Sequence, residues 1–591
     1  MDPRRLAATL AAGVLLTLVL AAAAQAAEKV EVRVDGIGGV LKQNVLANLD
    51  LEQLKKDKSL DEGRIRRLYA QAPGEIEEAL QPFGHYKPAI QSSLDHANGA
   101  WTARFTIDAG PALKLGTVDV QVLGPGAGEA GFRRIQTAFP LKPGDTLLMP
   151  AYDEAKKALE GYAAANGYLD ASYAVSQIRI DLAAYTSDIE IHFQTGPQYR
   201  FGPVRFNQDF LKPELLRGYV NFKQGDPLDA DTLLKFQTTL SASSYFQRVE
   251  VVPRRDQAQG VEVPIVVNLV AAKRERWTAG VGYGTDTGPR VSAGLEVRRV
   301  NASGHRADFR ARLSQIEKSF QSNYIVPGSY PSTDLLTYTL GYADLHPQTS
   351  QSRSFIVGAT DARALGRWRQ SFGLDFTRAT FTVGSDAGTS RLLTPTASWT
   401  RLFADDRIFP SHGEKIEFDL TGASKSALSN ASLVSGHVSG KFIQSFGGRP
   451  SFGGRRFRLL TRAEIGYLAT SADDFHLLPP AQRFFAGGDQ SVRGYSYQGI
   501  GPRDAFGHVL GGTRLATGSV ELEVRFLQKW GVATFYDTGS AADRLASDLK
   551  VGTGVGVRWL SPIGMIRLDA AVAVREPGHP KRLHFSIGPD L

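Results

Sequence analysis

The sequence contains no cysteine. That excludes disulfides, thiolate nucleophiles and thiolate metal sites. Past Ala26 no apolar run approaches the ~20 residues a transmembrane helix needs, so no helical span is expected in the mature chain. No block of one charge stands out. Lys and Arg total 68 against 60 Asp and Glu, a formal +8 scattered along the chain, and no nucleic-acid surface is expected. Signs of catalysis are missing as well. The 11 histidines form no His-Glu-x-x-His or other ligand-spaced cluster. The Gly-x-Gly runs lie in strands rather than at strand–helix junctions, and no Gly-x-Ser-x-Gly elbow occurs. The expectation is a protein without enzymatic activity, cofactor or metal.

The N-terminus carries a recognisable address. Arg4 and Arg5 form a basic segment, Leu6 to Leu20 an apolar one, and Ala24-Gln25-Ala26 a small-x-small cleavage site. Residues 1–26 read as a secretory signal peptide.

The first half repeats itself. "GPALKLGTV" (110–118) and "GPQYRFGPV" (196–204) share Gly-Pro, a Gly five residues after the Pro, and a Val two later, at a period of 86. "GDTLLMPAYDEAKKALEGYAAANGY" (144–168) matches "GDPLDADTLLKFQTTLSASSYF" (225–246), each a Gly-Asp-x-Leu leading into a helix. A looser copy runs from Leu60 to Tyr86. Each unit reads as a short strand, two helices and a strand pair. The pairs are Tyr86–Leu94 with Trp101–Ile107, Leu169–Arg179 with Asp188–Phe193, and Gln247–Pro253 with Val263–Val270. Ala155, Leu159 and Tyr162 fall on one helical face. Three β-α-α-β-β modules result, at 27–109, 110–196 and 197–272.

From 273 to 591 the pattern becomes strands alone. In "RWTAGVGYG", Trp277, Ala279, Val281 and Tyr283 oppose Thr278, Gly280, Gly282 and Gly284. "SVELEVRF" sets Val520, Leu522, Val524 and Phe526 against Glu521, Glu523 and Arg525. In "VGTGVGVRW" and "IRLDAAVAV" the charges Arg558, Arg567 and Asp569 again share the face opposite the large apolar residues. Charges and glycines on one face, strand after strand, fit a polar lumen with an apolar outer wall. From Glu275 onward, roughly 20 residues per strand and loop give about sixteen strands. In lipid such a sheet must close, since an open edge leaves backbone groups unpaired. The first strand (Arg276–Gly284) and the last (Arg582–Gly588) must therefore meet. Trp277, Ala279, Gly280, Gly282, Gly284, Phe585 and Gly588 are the expected seam residues, and the glycines reduce packing there.

"RFFAGGDQSVRGYSYQGIGP" (483–502) is too glycine-rich for a helix and too long for a turn. Its "SVRGY" (491–495) resembles the Val-Arg-Gly-Tyr/Phe signature of the outer-membrane assembly and secretion barrels. "FYDTG" (535–539) resembles the Phe-x-Asp-x-Gly strand of that superfamily, and Gly552 to Asp569 its terminal strands. The β-α-α-β-β units resemble polypeptide-transport-associated (POTRA) domains. Three of them before a barrel, and the C-terminal "GPDL", are most similar to the branch typified by TamA of the translocation and assembly module. General outer-membrane proteins end in an aromatic residue; here Phe585 lies six positions before the end, a departure from that pattern.

The resemblance implies an outer-membrane barrel with periplasmic modules, and a long loop folded back into the lumen. Arg493 of that loop, with Gly494 and Tyr495, is implied to meet acidic groups on the inner wall. Asp537 comes first, on the strand of Phe535 and Gly539, and Glu521 second. A planar guanidinium suits such a carboxylate site. The implied function is assembly and insertion of outer-membrane proteins, autotransporters among them, through a lateral seam. The implied partners are a TamB-like inner-membrane-anchored protein, unfolded outer-membrane clients and outer-membrane lipid. The alternative is a two-partner-secretion pore exporting one exoprotein; that class typically has two modules and a plug helix.

Overall fold

The computed structural model describes residues 29–588 apart from 56, 58–59, 407–408, 452–453, 545–547 and 562–563. The expected signal peptide and residues 589–591 of "GPDL" lie outside the described residues. The chain divides into two compact units. One is Met1–Val204 with Phe222–Leu234 and Pro253–Ile265; the other is Arg205–Asn221 with Lys235–Val252 and Val266–Leu591.

The first module runs β1 (Lys29–Asp35), α1 (Gly39–Asn48), α2 (Asp50–Gln53), α3 (Glu62–Leu80), β2 (Ala89–Ala97) and β3 (Ala100–Asp108). Asp61 Oδ1 starts α3 by accepting the Arg64 N–H at 2.7 Å. Ile65, Leu68, Ala72, Ile76 and Leu80 bury one face of that helix. They pack with Trp101 and Phe105 of β3, which sits centrally in the order β1-β3-β2. The expected strand from Tyr86 begins three residues later, beyond Pro88, which has no N–H to give a ladder.

The second module repeats the plan: β4 (Lys114–Leu123), α4 (Ala130–Thr137), α5 (Met149–Ala165), β5 (Ser172–Asp181) and β6 (Thr186–Gln194), in the order β4-β6-β5. Ala155, Leu159 and Ala163 carry the buried face of α5. Tyr162 stands at its flank, where its hydroxyl donates to Glu129 Oε2 at 3.1 Å. Tyr168 donates to the other oxygen at 2.7 Å, and burial pushes both phenols up. The strand expected from Leu169 starts at Ser172, because Ala171 N is bonded back to Tyr168 O in a turn.

The third module is β7 (Arg200–Asn207), α6 (Pro213–Arg217), α7 (Ala230–Ala242), β8 (Phe246–Pro253) and β9 (Glu262–Ala271), in the order β7-β9-β8. In the second unit, Lys212 N donates to Ala302 O at 2.8 Å, and Tyr245 Oη donates to Gly304 O at 2.5 Å.

The remaining strands form a single antiparallel sheet of sixteen in sequence order. Its first eight are β10 (Glu275–Gly284), β11 (Gly288–Val297), β12 (Arg306–Ser314), β13 (Glu317–Pro327), β14 (Leu335–Leu345), β15 (Ser350–Leu365), β16 (Trp368–Val383) and β17 (Asp386–Ala404). The second eight are β18 (His412–Ala423), β19 (Leu433–Ser451), β20 (Gly454–Ala469), β21 (Arg514–Arg525), β22 (Trp530–Ala542), β23 (Lys550–Ser561), β24 (Gly564–Ala573) and β25 (Lys581–Gly588). The alternation read from the sequence is carried out with its apolar face outward. Trp277, Val281, Val555 and Leu583 are exposed, while Arg458, Glu523, Asp537 and Arg558 are buried inside.

Candidate functional site: lumen loop and seam

The connection between β20 and β21, residues 470–513, opens at the same end of the sheet as the tight β10–β11 turn. It holds itself in shape by short antiparallel bridges, Phe484 with Gly512, Ala486 with Ile500 and Arg503 with Val509. Its buried apolar residues Ala486, Val492, Tyr495 and Ile500 pack against Leu515, Ala541 and Ala573 of the wall. Glycine-rich sequence thus builds an ordered inward fold rather than a mobile tip.

Arg493 lies at the bottom of that fold, almost fully buried. Its Nε and Nη2 grip both oxygens of Asp537 at 2.7 and 3.0 Å. Nη1 donates to Glu521 Oε2 at 2.6 Å and Asp569 Oδ2 at 3.1 Å. The backbone N–H of Arg493 also donates to Asp537 Oδ2, at 3.1 Å. The guanidinium lies 3.4 Å from the Phe535 ring centroid. Planar fork, bidentate carboxylate and aromatic face use every recognition property that separates Arg from Lys.

The wall behind it is a connected ion-pair lattice. Arg558 donates to Glu521 Oε1 at 2.6 Å, Glu523 Oε1 at 3.1 Å and Asp569 Oδ1 at 2.5 Å. Arg458 donates to Glu523 Oε2 at 2.7 Å and lies over Phe409. Glu521 is therefore shared between the loop arginine and a wall arginine rather than serving Arg493 alone. Arg458, Glu523, Arg558 and Asp569 were not among the expected site residues. Their signal was nonetheless present, because Glu523, Arg558 and Asp569 share the inward parity of Glu521.

The glycines fix how closely loop and wall approach. A Cβ on Gly494, whose φ is +96°, would lie 2.9 Å from the Ala573 N and Val572 C backbone atoms of β24. A Cβ on Gly552 would overlap the carbonyl of Arg493. Gly539 leaves room for Val492, and Tyr495 Oη donates to Val551 O at 3.4 Å. Sequence reading also missed a second anchor. The buried Arg483 donates to Asp386 Oδ2 on β17 at 2.7 Å and to Leu478 O at 3.0 Å, with Phe475 against its face.

The two edge strands meet differently. Among the described residues no ladder joins β10 to β25. Thr285 N reaches Phe585 O at 3.4 Å, Phe585 N donates to Thr285 Oγ1 at 2.8 Å, and the Tyr283 and Phe585 rings lie 5.9 Å apart. Ala279 is thus not the neighbour of Phe585. The register places Phe585 beside the first residue past the end of β10, six positions further along. Trp277 and Ala279 stand exposed on the outer face. The lumen space at Gly280 and Gly282 is taken by Ser292 and Arg290 of β11. Gly284 pairs with Gly288 in the tight turn, and Gly588 pairs with Met565 of β24.

The Omp85 superfamily domain matches residues 276–590, and the POTRA domain described as TamA domain 1 matches residues 31–109. The outer membrane protein assembly factor BamA of Nitratidesulfovibrio vulgaris is 34% identical over 123 residues, 19% of this chain and 16% of that protein. BamA of Neisseria meningitidis serogroup B is 21% identical over 564 residues, 82% of this chain and 68% of its own. The crystal structure of BamA from Haemophilus ducreyi lacking POTRA domains 1–3 shares the fold at a TM-score of 0.64 and 14% identity, over 80% of this chain and 99% of that one. With more than half its length matched, the chain belongs to the Omp85 superfamily, as an outer-membrane β-barrel with periplasmic POTRA modules.

Proposed function

We propose that the protein is a non-enzymatic assembly factor that helps outer-membrane proteins fold and insert through the seam between β10 and β25. In this reading residues 1–26 are a signal peptide, 27–109, 110–196 and 197–272 are three POTRA modules, and 273–591 is the barrel. Three modules before the barrel, the first of them matched by the POTRA domain described as TamA domain 1, support membership of the TamA branch, whose partner would be a TamB-like protein anchored in the inner membrane and whose clients would include autotransporters. Arg493, held by Asp537 and Glu521, fixes the loop inside the lumen while the seam works.

The observation that carries the proposal is the disparity of strand pairing. β24 and β25 pair over eight residues, and β10 and β11 over ten. Across the seam, one backbone hydrogen bond of 3.4 Å is found among the described residues. An unpaired strand edge in lipid is costly, and a client strand relieves that cost by pairing with it. The same edge can template a client strand by β-augmentation.

The chain has no cysteine, so an engineered pair at Thr285→Cys and Phe585→Cys reads the seam without background. These positions already share hydrogen bonds across the seam. Oxidation is expected to stop client insertion into vesicles, and reduction to restore it. A fully crosslinked barrel inserting clients at the normal rate overturns the seam mechanism. Affinity capture from native membranes tests the partner: an inner-membrane-anchored protein is expected. Recovery of one secreted exoprotein instead would assign the chain to two-partner secretion.

A further inference from the structure

The lumen loop is bonded to β21, β22 and β24 by Arg493, and its neighbouring residues touch both free edges of the sheet. Asp489 N donates to Asp286 Oδ2 at 2.8 Å, and Asp286 sits in the turn that ends β10. The Asp489 carboxylate meets His584 Nδ1 on β25. Gly494 N donates to His584 Nε2 at 2.9 Å. Residues 489–494 therefore cross the seam from inside, fastened at one end to the first strand's turn and at the other to the last strand.

The chemistry of His584 is determined by its partners. A backbone N–H can only donate, so Nε2 is the acceptor and the ring proton sits on Nδ1, directed at Asp489. A neutral imidazole thus joins two points of the loop to β25. The same arrangement argues against reading Asp286, Asp489 and His584 as a cation site, because the nitrogen facing Asp489 is the protonated one and the other already accepts from Gly494 N. His584 is nearly inaccessible, and it stands opposite Asp569 in the β24 register. Burial raises the Asp286 carboxyl, consistent with a turn packed beneath the loop rather than open to solvent.

We propose that residues 489–494 are the latch of the seam, with Asp489 clipping the first strand's turn to His584 of the last strand. The seam opens when this clip releases, while Arg493 and its carboxylates keep the loop in the lumen. His584 is a positioning residue in this scheme. The inference rests on the seam reading above and adds what holds the seam shut.

The test uses the full chain in lipid vesicles, with spin labels at Val281→Cys and Leu583→Cys. Both side chains are exposed on the outer face of the two edge strands, away from the clip. His584→Ala and Asp489→Ala are each expected to shift the label distances toward a longer population. Loss of one or two hydrogen bonds corresponds to a change of roughly five- to thirtyfold in the closed-to-open ratio. His584→Gln offers an amide oxygen to Gly494 N and an amide N–H to Asp489, and is expected to return most of the closed population. Migration of unheated protein in detergent gels should stay that of a folded barrel in all three variants. Wild-type distances in both alanine variants overturn the latch, and so does failure of the glutamine variant to restore closure. The two readings fail separately. If clients open the seam equally in wild type and His584→Ala, the latch falls and the seam mechanism stands. If the alanine variants open the seam yet client insertion is independent of its opening, the latch stands and the seam mechanism falls.

Discussion

The periplasmic modules and the barrel are built from the same alternation with opposite sense. In the modules the largest buried side chains are aromatic and aliphatic: Phe105, Phe132, Phe193, Phe236 and Ile65. In the barrel they are Arg458 and Arg558. A module closes its core by removing apolar surface from water. The barrel keeps apolar surface outward for lipid and fills its centre with carboxylates and guanidinium groups. The same exposed valine therefore means different things in the two halves, and so does a buried charge.

The difference is tested most severely by removing a charge from the barrel's centre. Arg558→Met preserves much of the side-chain volume but takes from Glu521, Glu523 and Asp569 the guanidinium that each of them accepts from. Breaking a dry, buried pair in this way costs on the order of 3–5 kcal/mol. Urea unfolding of the barrel in vesicles is expected to show a loss of that size. A loss below about 1 kcal/mol, the scale of solvated pairs, would mean the lattice is wetted, and the contrast between the two cores would weaken.

Much of this contrast was legible in the residues themselves. Period-two alternation with charges and glycines on one face specified the inverted barrel, and the repeated Gly-Pro and Gly-Asp-x-Leu stretches marked the modules. Arg493, Asp537 and Glu521 were singled out through the resemblance of their motifs, not through spacing. What sequence did not yield was register and partnership. Parity put Arg558 and Asp569 in the lumen, but which inward charge meets which depends on strand stagger and barrel curvature. Arg483 sits in a loop with no periodicity to mark it. The seam shows the same limit: alternation put Trp277 and Ala279 on one face, where both stand exposed, yet the offset between first and last strands depends on the stagger of all sixteen.

A charge placed on the outer wall examines the other face of the comparison. Val555, near the middle of β23, is exposed between Thr534 of β22 and Ala570 of β24. If that surface faces hydrocarbon, Val555→Arg costs about 2–4 kcal/mol, since the guanidinium must be carried into lipid or reach out of it. Reversible folding into vesicles measures this directly. A neutral result at this position would place the surface in water and remove the case for an inverted fold.

The smallest expected effect comes from the matching change in a module. Val40, in α1, is as exposed as Val555, at 62% against 63%. Open space surrounds the neighbouring Gly39 on its Cβ side, and Val40 is not part of the first module's buried cluster. Val40→Arg places a charge in water, makes no cavity and breaks no hydrogen bond of the side chain. Its effect is expected to fall within about 0.5 kcal/mol, as for surface substitutions generally, with arginine's better helix propensity offsetting part of the lost apolar contact. Protease resistance of the modules in the intact protein gives the readout, compared with Val555→Arg in the same vesicles. Two valines of equal exposure should thus differ by several-fold in cost. A large loss at Val40 would mean that this face of the module is covered in the membrane-bound protein, by lipid or by a bound chain, and that exposure there cannot be read as contact with water.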